Sequence, residues 1–124
     1  MGYPMAQNII KAGFNLTAFN RTNKKAQGLS KNGAEVVNSI KEAVEKSKII
    51  ITMLSDDDAV LSVISNKDFL ENIKKKSIVI DMSSTKPITS KKINEILKKK
   101  EIYFLDAPVS GGTLGAENGN LTIM

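Results

Sequence analysis

Lys48-Ile49-Ile50-Ile51-Thr52-Met53-Leu54, followed by Ser55 and Asp56-Asp57-Asp58, sets the architecture of this chain. Three consecutive isoleucines make a β-branched run typical of a strand buried on both faces, where no alternation with polar residues is required. Ser55 and the acidic triplet then open a helix, because carboxylates suit the positive end of the helix dipole. A strand passing into a helix is one step of a parallel sheet wrapped by helices.

The same alternation extends outward in both directions. Downstream, Ser77 to Asp81 repeats the strand pattern, and a helix is predicted from Pro87 to about Lys100. A strand from Ile102 to Leu105 follows, then a glycine-rich loop and a last apolar run from Leu121 to Met124. Upstream, Ser39 followed three residues later by Glu42 is a capping box for a helix ending near Ser47. Thr22 is placed to cap a helix running to about Asn32, with Gly33 as its terminator. Leu16 to Phe19 forms a short strand. The chain opens with a helix over about residues 4 to 12, with Pro4 in its first turn and Gly13 ending it.

The bulk properties exclude several classes. The 124 residues, 41% of them hydrophobic, suffice for one packed domain and not for two large ones. No stretch nears the roughly 18 apolar residues of a membrane span, and Met1-Gly2-Tyr3-Pro4-Met5 lacks the regions of a secretory signal. Without Cys there are no disulfides or thiolate metal sites, and without His the usual imidazole base is missing. A cytoplasmic protein with no membrane partner is the expectation. The net charge of +5 is almost all lysine, Arg21 being the sole arginine. Lys74-Lys75-Lys76 and Lys98-Lys99-Lys100 fall at the ends of helix-like segments with no aromatic residue among them, so no nucleic-acid partner is expected. The acidic triplet at residues 56–58 reads as a set of dipole partners, and no metal is assigned.

In such sheets ligands bind beyond the carboxyl ends of the strands. Four ends matter: Asn20-Arg21-Thr22, Met53-Leu54-Ser55, Met82-Ser83-Ser84 and Asp106 to Gly112. In the last, Ser110 and the amides of Gly111 and Gly112 have the chemistry to hold a carboxylate, while the same dipeptides also suit an ordinary turn. Arg21 forms a planar fork that suits the 2′-phosphate of NADP, where an acid would favour the ribose hydroxyl of NAD.

Asp106-Ala107-Pro108-Val109-Ser110-Gly111-Gly112, Gly115-Ala116, Gly119 to Met124, Asp81 to Pro87 and the Met1-Gly2 start together resemble the β-hydroxyacid dehydrogenase family. That family includes 3-hydroxyisobutyrate dehydrogenase and 2-hydroxy-3-oxopropionate reductase. The likeness covers the whole chain in order, and Asp106 to Gly112 is its most specific part. Ser55 departs from the proline usual at its position. The 6-phosphogluconate dehydrogenases share the serine and paired glycines and rank second. A non-catalytic nucleotide-binding remnant is the reading from another class.

The resemblance implies a Rossmann-type, doubly wound, mostly parallel sheet over residues 1–124, incomplete because the first strand is missing. That strand belongs in the middle, between the second and fourth strands of the full pattern. Met1 and Gly2 match the end of a G-x-G-x-x-G fingerprint, where a helix N-terminus receives the cofactor pyrophosphate. Asn20, Arg21, Thr22, Met53, Leu54 and Ser84 are then expected to line the cofactor, NADP with NAD as the alternative, and Ser110, Gly111 and Gly112 to bind a small hydroxy acid. Ser83 and Thr85 are left to capping the next helix. The family's catalytic lysine and its C-terminal helical, usually dimerising domain lie beyond these residues. No catalytic residue is assigned, the 124 residues alone are expected to be inactive, and the full-length parent is expected to be a homo-oligomer.

Overall fold

The computed structural model describes residues 1–124 and alternates helices with strands throughout. In order these are α1 (Gly2–Lys11), β1 (Thr17–Ala18), α2 (Asn23–Ala26), a 3-10 helix (Gln27–Asn32), β2 (Glu35–Val36), α3 (Ile40–Glu45) and β3 (Ile49–Thr52). Then come α4 (Asp57–Ile64), α5 (Lys67–Asn72), β4 (Ile78–Asp81), α6 (Pro87–Lys98), β5 (Tyr103–Asp106), β6 (Val109–Ser110), α7 (Gly112–Asn118) and β7 (Thr122–Ile123).

Local signals account for most boundaries. Ser39 Oγ accepts from the Glu42 amide and its hydroxyl donates to the Glu42 carboxylate, completing the capping box of α3. Asp56, rather than Ser55, caps α4 by accepting from the Ala59 amide at 2.8 Å. Gly33 (φ 101°) ends the 3-10 helix and Gly119 (φ 68°) ends α7, each in the left-handed region that glycine enters without a Cβ penalty. The helix expected from Thr22 to Asn32 divides into α2 and the 3-10 helix. Thr22 occupies the cap position without a side-chain bond.

Strands β3, β4 and β5 form a parallel sheet in that order, with Ile49 opposite Ile78 and Ile78 opposite Tyr103. Strands β1 and β2 form a separate parallel pair, and β6 pairs antiparallel with β7. No ladder joins β1 to β3. The continuous sheet of a doubly wound domain is thus divided between the two strands that a central first strand would connect. Both retain an unpaired edge on that side.

The core lies on one side of β3–β5. Val79 on β4 packs with Val44, Val60, Ile64, Phe69, Ile73, Ile93, Leu97 and Ile102, which come from α3 to α6 and the segments flanking them. Ile50 and Phe104 point to this side as well. The alternate residues face the opposite way and are largely uncovered: Ile49 is 59% exposed, Tyr103 62% and Leu105 52%. The expectation that Ile49-Ile50-Ile51 is buried on both faces is therefore corrected. Its β-branched run forms a strand, but only one face has a covering layer.

Helix α1 has no fully buried residue. The accessible surface totals 7832 Å², whereas a compact monomer of 13.5 kDa exposes about 6,500 Å². The excess is about 1,300 Å² on that scaling, and the uncovered sheet face contributes to it.

Candidate functional site

Helices α1 and α7 lie side by side and point the same way. Near their starts, the Thr113 hydroxyl donates to the Met1 sulfur at 3.9 Å. Near their ends, the Asn8 amide donates to the carbonyls of Ala116 (2.6 Å) and Glu117 (3.3 Å). Two helix N-termini, at Gly2 and Gly112, are thereby placed together, and their unpaired amides and dipoles add. Neither first turn holds an acidic residue and neither cap residue, Met1 or Gly111, makes a side-chain cap bond. These amides are open to an anion.

The patch continues across the sheet. A Cβ on Gly2 would stand 3.7 Å from the Met53 Cβ, so the start of α1 rests against the loop after β3. The next amide in that loop, Leu54 N–H, donates to Ser83 Oγ at 2.9 Å, joining it to the loop after β4. Ser84 follows, exposed. Met1, Gly2, Met53, Leu54, Ser84 and the start of α7 are thus linked by a chain of direct contacts.

Ser110 ends β6, Gly111 is the turn residue and Gly112 starts α7, and all three are exposed. Gly111 has φ 134°, and a Cβ there would come within 3.1 Å of Leu121 Cδ2, so only glycine suits the position. The loop expected after β5 is a short strand, a turn and a helix, with Ser110 held opposite Thr122 on β7.

Asn20, Arg21 and Thr22 follow β1 and are exposed. Asn20 Oδ1 accepts from the Thr22 amide at 2.9 Å, shaping the turn and leaving the Arg21 guanidinium without an ion-pair partner. They stand at a carboxyl end like the other loops, but on the separate β1–β2 sheet. No side-chain hydrogen bond ties them to the α1–α7 cluster.

Ser83 and Thr85 do not cap α6. That helix starts after Lys86 with no side-chain cap of its own, because Asp57 on α4 accepts from the Lys86 amide at 3.0 Å and from the Thr89 hydroxyl. Ser83 is turned inward toward Leu54 instead. Asp81 is fully buried, and its Oδ1 accepts from Thr52 Oγ1 at 2.8 Å and from the Ser83 amide at 3.2 Å. Sequence reasoning gave Asp81, Thr52, Asn8 and Thr113 no role. The one available signal was an acid ending an apolar strand, where burial demands hydrogen-bond partners.

Comparison with known proteins places the chain in a family. The model for the NAD binding domain of 6-phosphogluconate dehydrogenase matches residues 1–124. Glyoxylate/succinic semialdehyde reductase 1 of Arabidopsis thaliana is 43% identical over 125 residues, across all of this chain and 43% of its own length. The NAD-dependent L-serine dehydrogenase of Pseudomonas aeruginosa is 36% identical over all of this chain and 42% of its own. The solved 3-hydroxyisobutyrate dehydrogenase of Mycobacterium tuberculosis, with L-serine, superposes with a TM-score of 0.94 at 31% identity, again over 100% of this chain and 42% of that one. The chain belongs to the family of NAD binding domains described for 6-phosphogluconate dehydrogenase, and its fold is the Rossmann-type α/β domain seen in the solved 3-hydroxyisobutyrate dehydrogenase. It spans less than half the length of these relatives.

Proposed function

We propose that residues 1–124 are the cofactor-binding part of an NADP-linked oxidoreductase acting on a small 3-hydroxy acid. The observation that carries this reading is the paired start of α1 and α7, joined through Met53 and Leu54 to the loop bearing Ser84. An extended dinucleotide and a small carboxylate both need such a row of open amides and hydroxyls beyond the carboxyl ends of strands.

The residues fit the group. The first-turn amides at Gly2 receive the pyrophosphate. Leu54 and Ser84 would flank the nicotinamide half, and Asn20, Arg21 and Thr22 would hold the adenosine end, the guanidinium suiting a 2′-phosphate. When bound, the nicotinamide ring supplies C4 as the hydride acceptor or donor. Ser110 and the amides of Gly111 and Gly112 would anchor the substrate carboxylate and so hold the substrate in one orientation. No residue among 1–124 is assigned the hydroxyl proton, and the parent enzyme is read as a homo-oligomer.

Support for the hydroxy-acid class comes from relatives named for 3-hydroxyisobutyrate, glyoxylate or succinic semialdehyde, and L-serine. The test is a calorimetric titration of the full-length protein with NADP+ and NAD+, then reduction of the bound nucleotide with 3-hydroxyisobutyrate, L-serine and 6-phosphogluconate. Binding of NADP+ and turnover of a 3-hydroxy acid are expected. Turnover of 6-phosphogluconate alone would move the assignment to the second family, and no dinucleotide binding would end it.

A further inference from the structure

We propose that Asp81 is a positioning residue that sets the nicotinamide half of the site by strapping together the loops after β3 and β4. The inference rests on the reading above that Leu54 and Ser84 flank that half. Asp81 ends β4 with its side chain fully buried, yet it takes part in none of the ion pairs of the chain. A valine or isoleucine would fill the position at less desolvation cost. What the carboxylate adds is a fixed set of acceptors.

Oδ1 takes the Thr52 hydroxyl at 2.8 Å, holding the end of β3, and the Ser83 amide at 3.2 Å, bending the chain after β4. Oδ2 faces the Thr85 hydroxyl at 3.5 Å, and Thr85 Oγ1 lies 3.2 Å from Ser90 Oγ on α6. With its own amide held, Ser83 presents Oγ to the Leu54 amide at 2.9 Å. The carboxylate therefore reaches Leu54 through Ser83, and Ser84 lies one bond beyond the clamp. No atom of Asp81 needs to touch a ligand for its removal to let both loops drift.

The experiment compares two probes on the full-length protein: NADP+, and 2′,5′-ADP, which carries only the adenosine end. Ser83→Ala and Asp81→Ala are expected to weaken NADP+ about tenfold, the worth of one lost hydrogen bond, and to leave 2′,5′-ADP unchanged. Asp81→Asn keeps an oxygen for Thr52 and Ser83, and is expected to recover affinity to within about threefold of wild type. If Asp81→Ala does not fold, Ser83→Ala alone decides. Equal weakening of both probes, unchanged NADP+ affinity, or failure of Asp81→Asn to recover would overturn the strap while the site reading stands. A wild-type protein that binds no dinucleotide would overturn both.

Discussion

The side-chain amide of Asn8 donates to the Ala116 carbonyl at 2.6 Å and so fastens the last turn of α1 to the last turn of α7. The two residues are 108 positions apart, yet they fix the parallel alignment on which both helix N-termini depend. Asn8→Ala is expected to weaken this join by about 1–2 kcal/mol, because two carbonyls lose their donor. Faster hydrogen exchange at the α7 amides of the full-length protein, with β4 unaffected, is the readout. Unchanged exchange in α7 would mean that packing alone aligns the helices.

Arg21→Ala is expected to lower affinity for NADP+ by about 10- to 100-fold, the range for a charged hydrogen bond. Affinity for NAD+, which lacks the 2′-phosphate, is expected to stay within about twofold on the same reasoning. Titrating both nucleotides against wild type and variant checks it, and a parallel loss for both would remove Arg21 from the phosphate.

Gly111→Ala is expected to destabilise the protein more than Gly112→Ala. Gly111 combines φ 134° with a close Leu121 side chain, whereas Gly112 at φ 62° has open space where a Cβ would go. The expected costs are about 2–3 kcal/mol and about 1 kcal/mol respectively. Thermal denaturation of the two variants side by side is sufficient, and equal midpoints would contradict the steric argument.

The Thr89 hydroxyl, and after it the Lys86 amide, hold the Asp57 carboxyl below its ordinary value of 3.8. A depressed folded-state value means the contribution is present above the ordinary pKa and is lost as pH falls through the lowered one. Asp57→Asn is therefore expected to flatten the acid side of the stability curve, below about pH 4, and to lower the midpoint at neutral pH. Midpoints measured from about pH 2 to about pH 7 report it.

The 124-residue chain by itself is expected to bind hydrophobic dyes and to aggregate, since Ile49, Tyr103 and Leu105 stand on an uncovered sheet face. Ile49→Thr with Tyr103→Lys is expected to raise its solubility. Light scattering at matched concentrations decides, and an equally insoluble double variant would shift the cause to the unpaired strand edges.

Much of this was legible in the residues, for identifiable reasons. The Ile49–Ile51 run as a strand, though not its burial on both faces, the Ser39–Glu42 box and Pro87 at the start of α6 are local signals that hold in this packing. Strand β2 was not legible: Glu35-Val36 is two residues long and exists because β1 lies beside it. Helix α7, rich in glycine, owes its form to neighbours rather than propensity, whereas α5 carries a local signal that went unread, the Asn66 cap on the Asp68 amide. Ser83 misled because a hydroxyl just before a helix is usually a cap, and only the register of β3 against β4 reveals that it faces Leu54. For the candidate site, residue types were readable and adjacency was not, since Met1 meets Thr113 across nearly the whole chain.

The division between the β1–β2 pair and the β3–β5 sheet bears on how ligand and scaffold depend on each other. The proposed phosphate grip at Arg21 rides on one slab, and the loops of Leu54 and Ser84 ride on the other. A dinucleotide stretched between them would act as a clasp, coupling two sheets that share no ladder. Thermal resistance would then climb with the logarithm of nucleotide concentration, and fragments gripping a single slab would protect far less than the intact molecule.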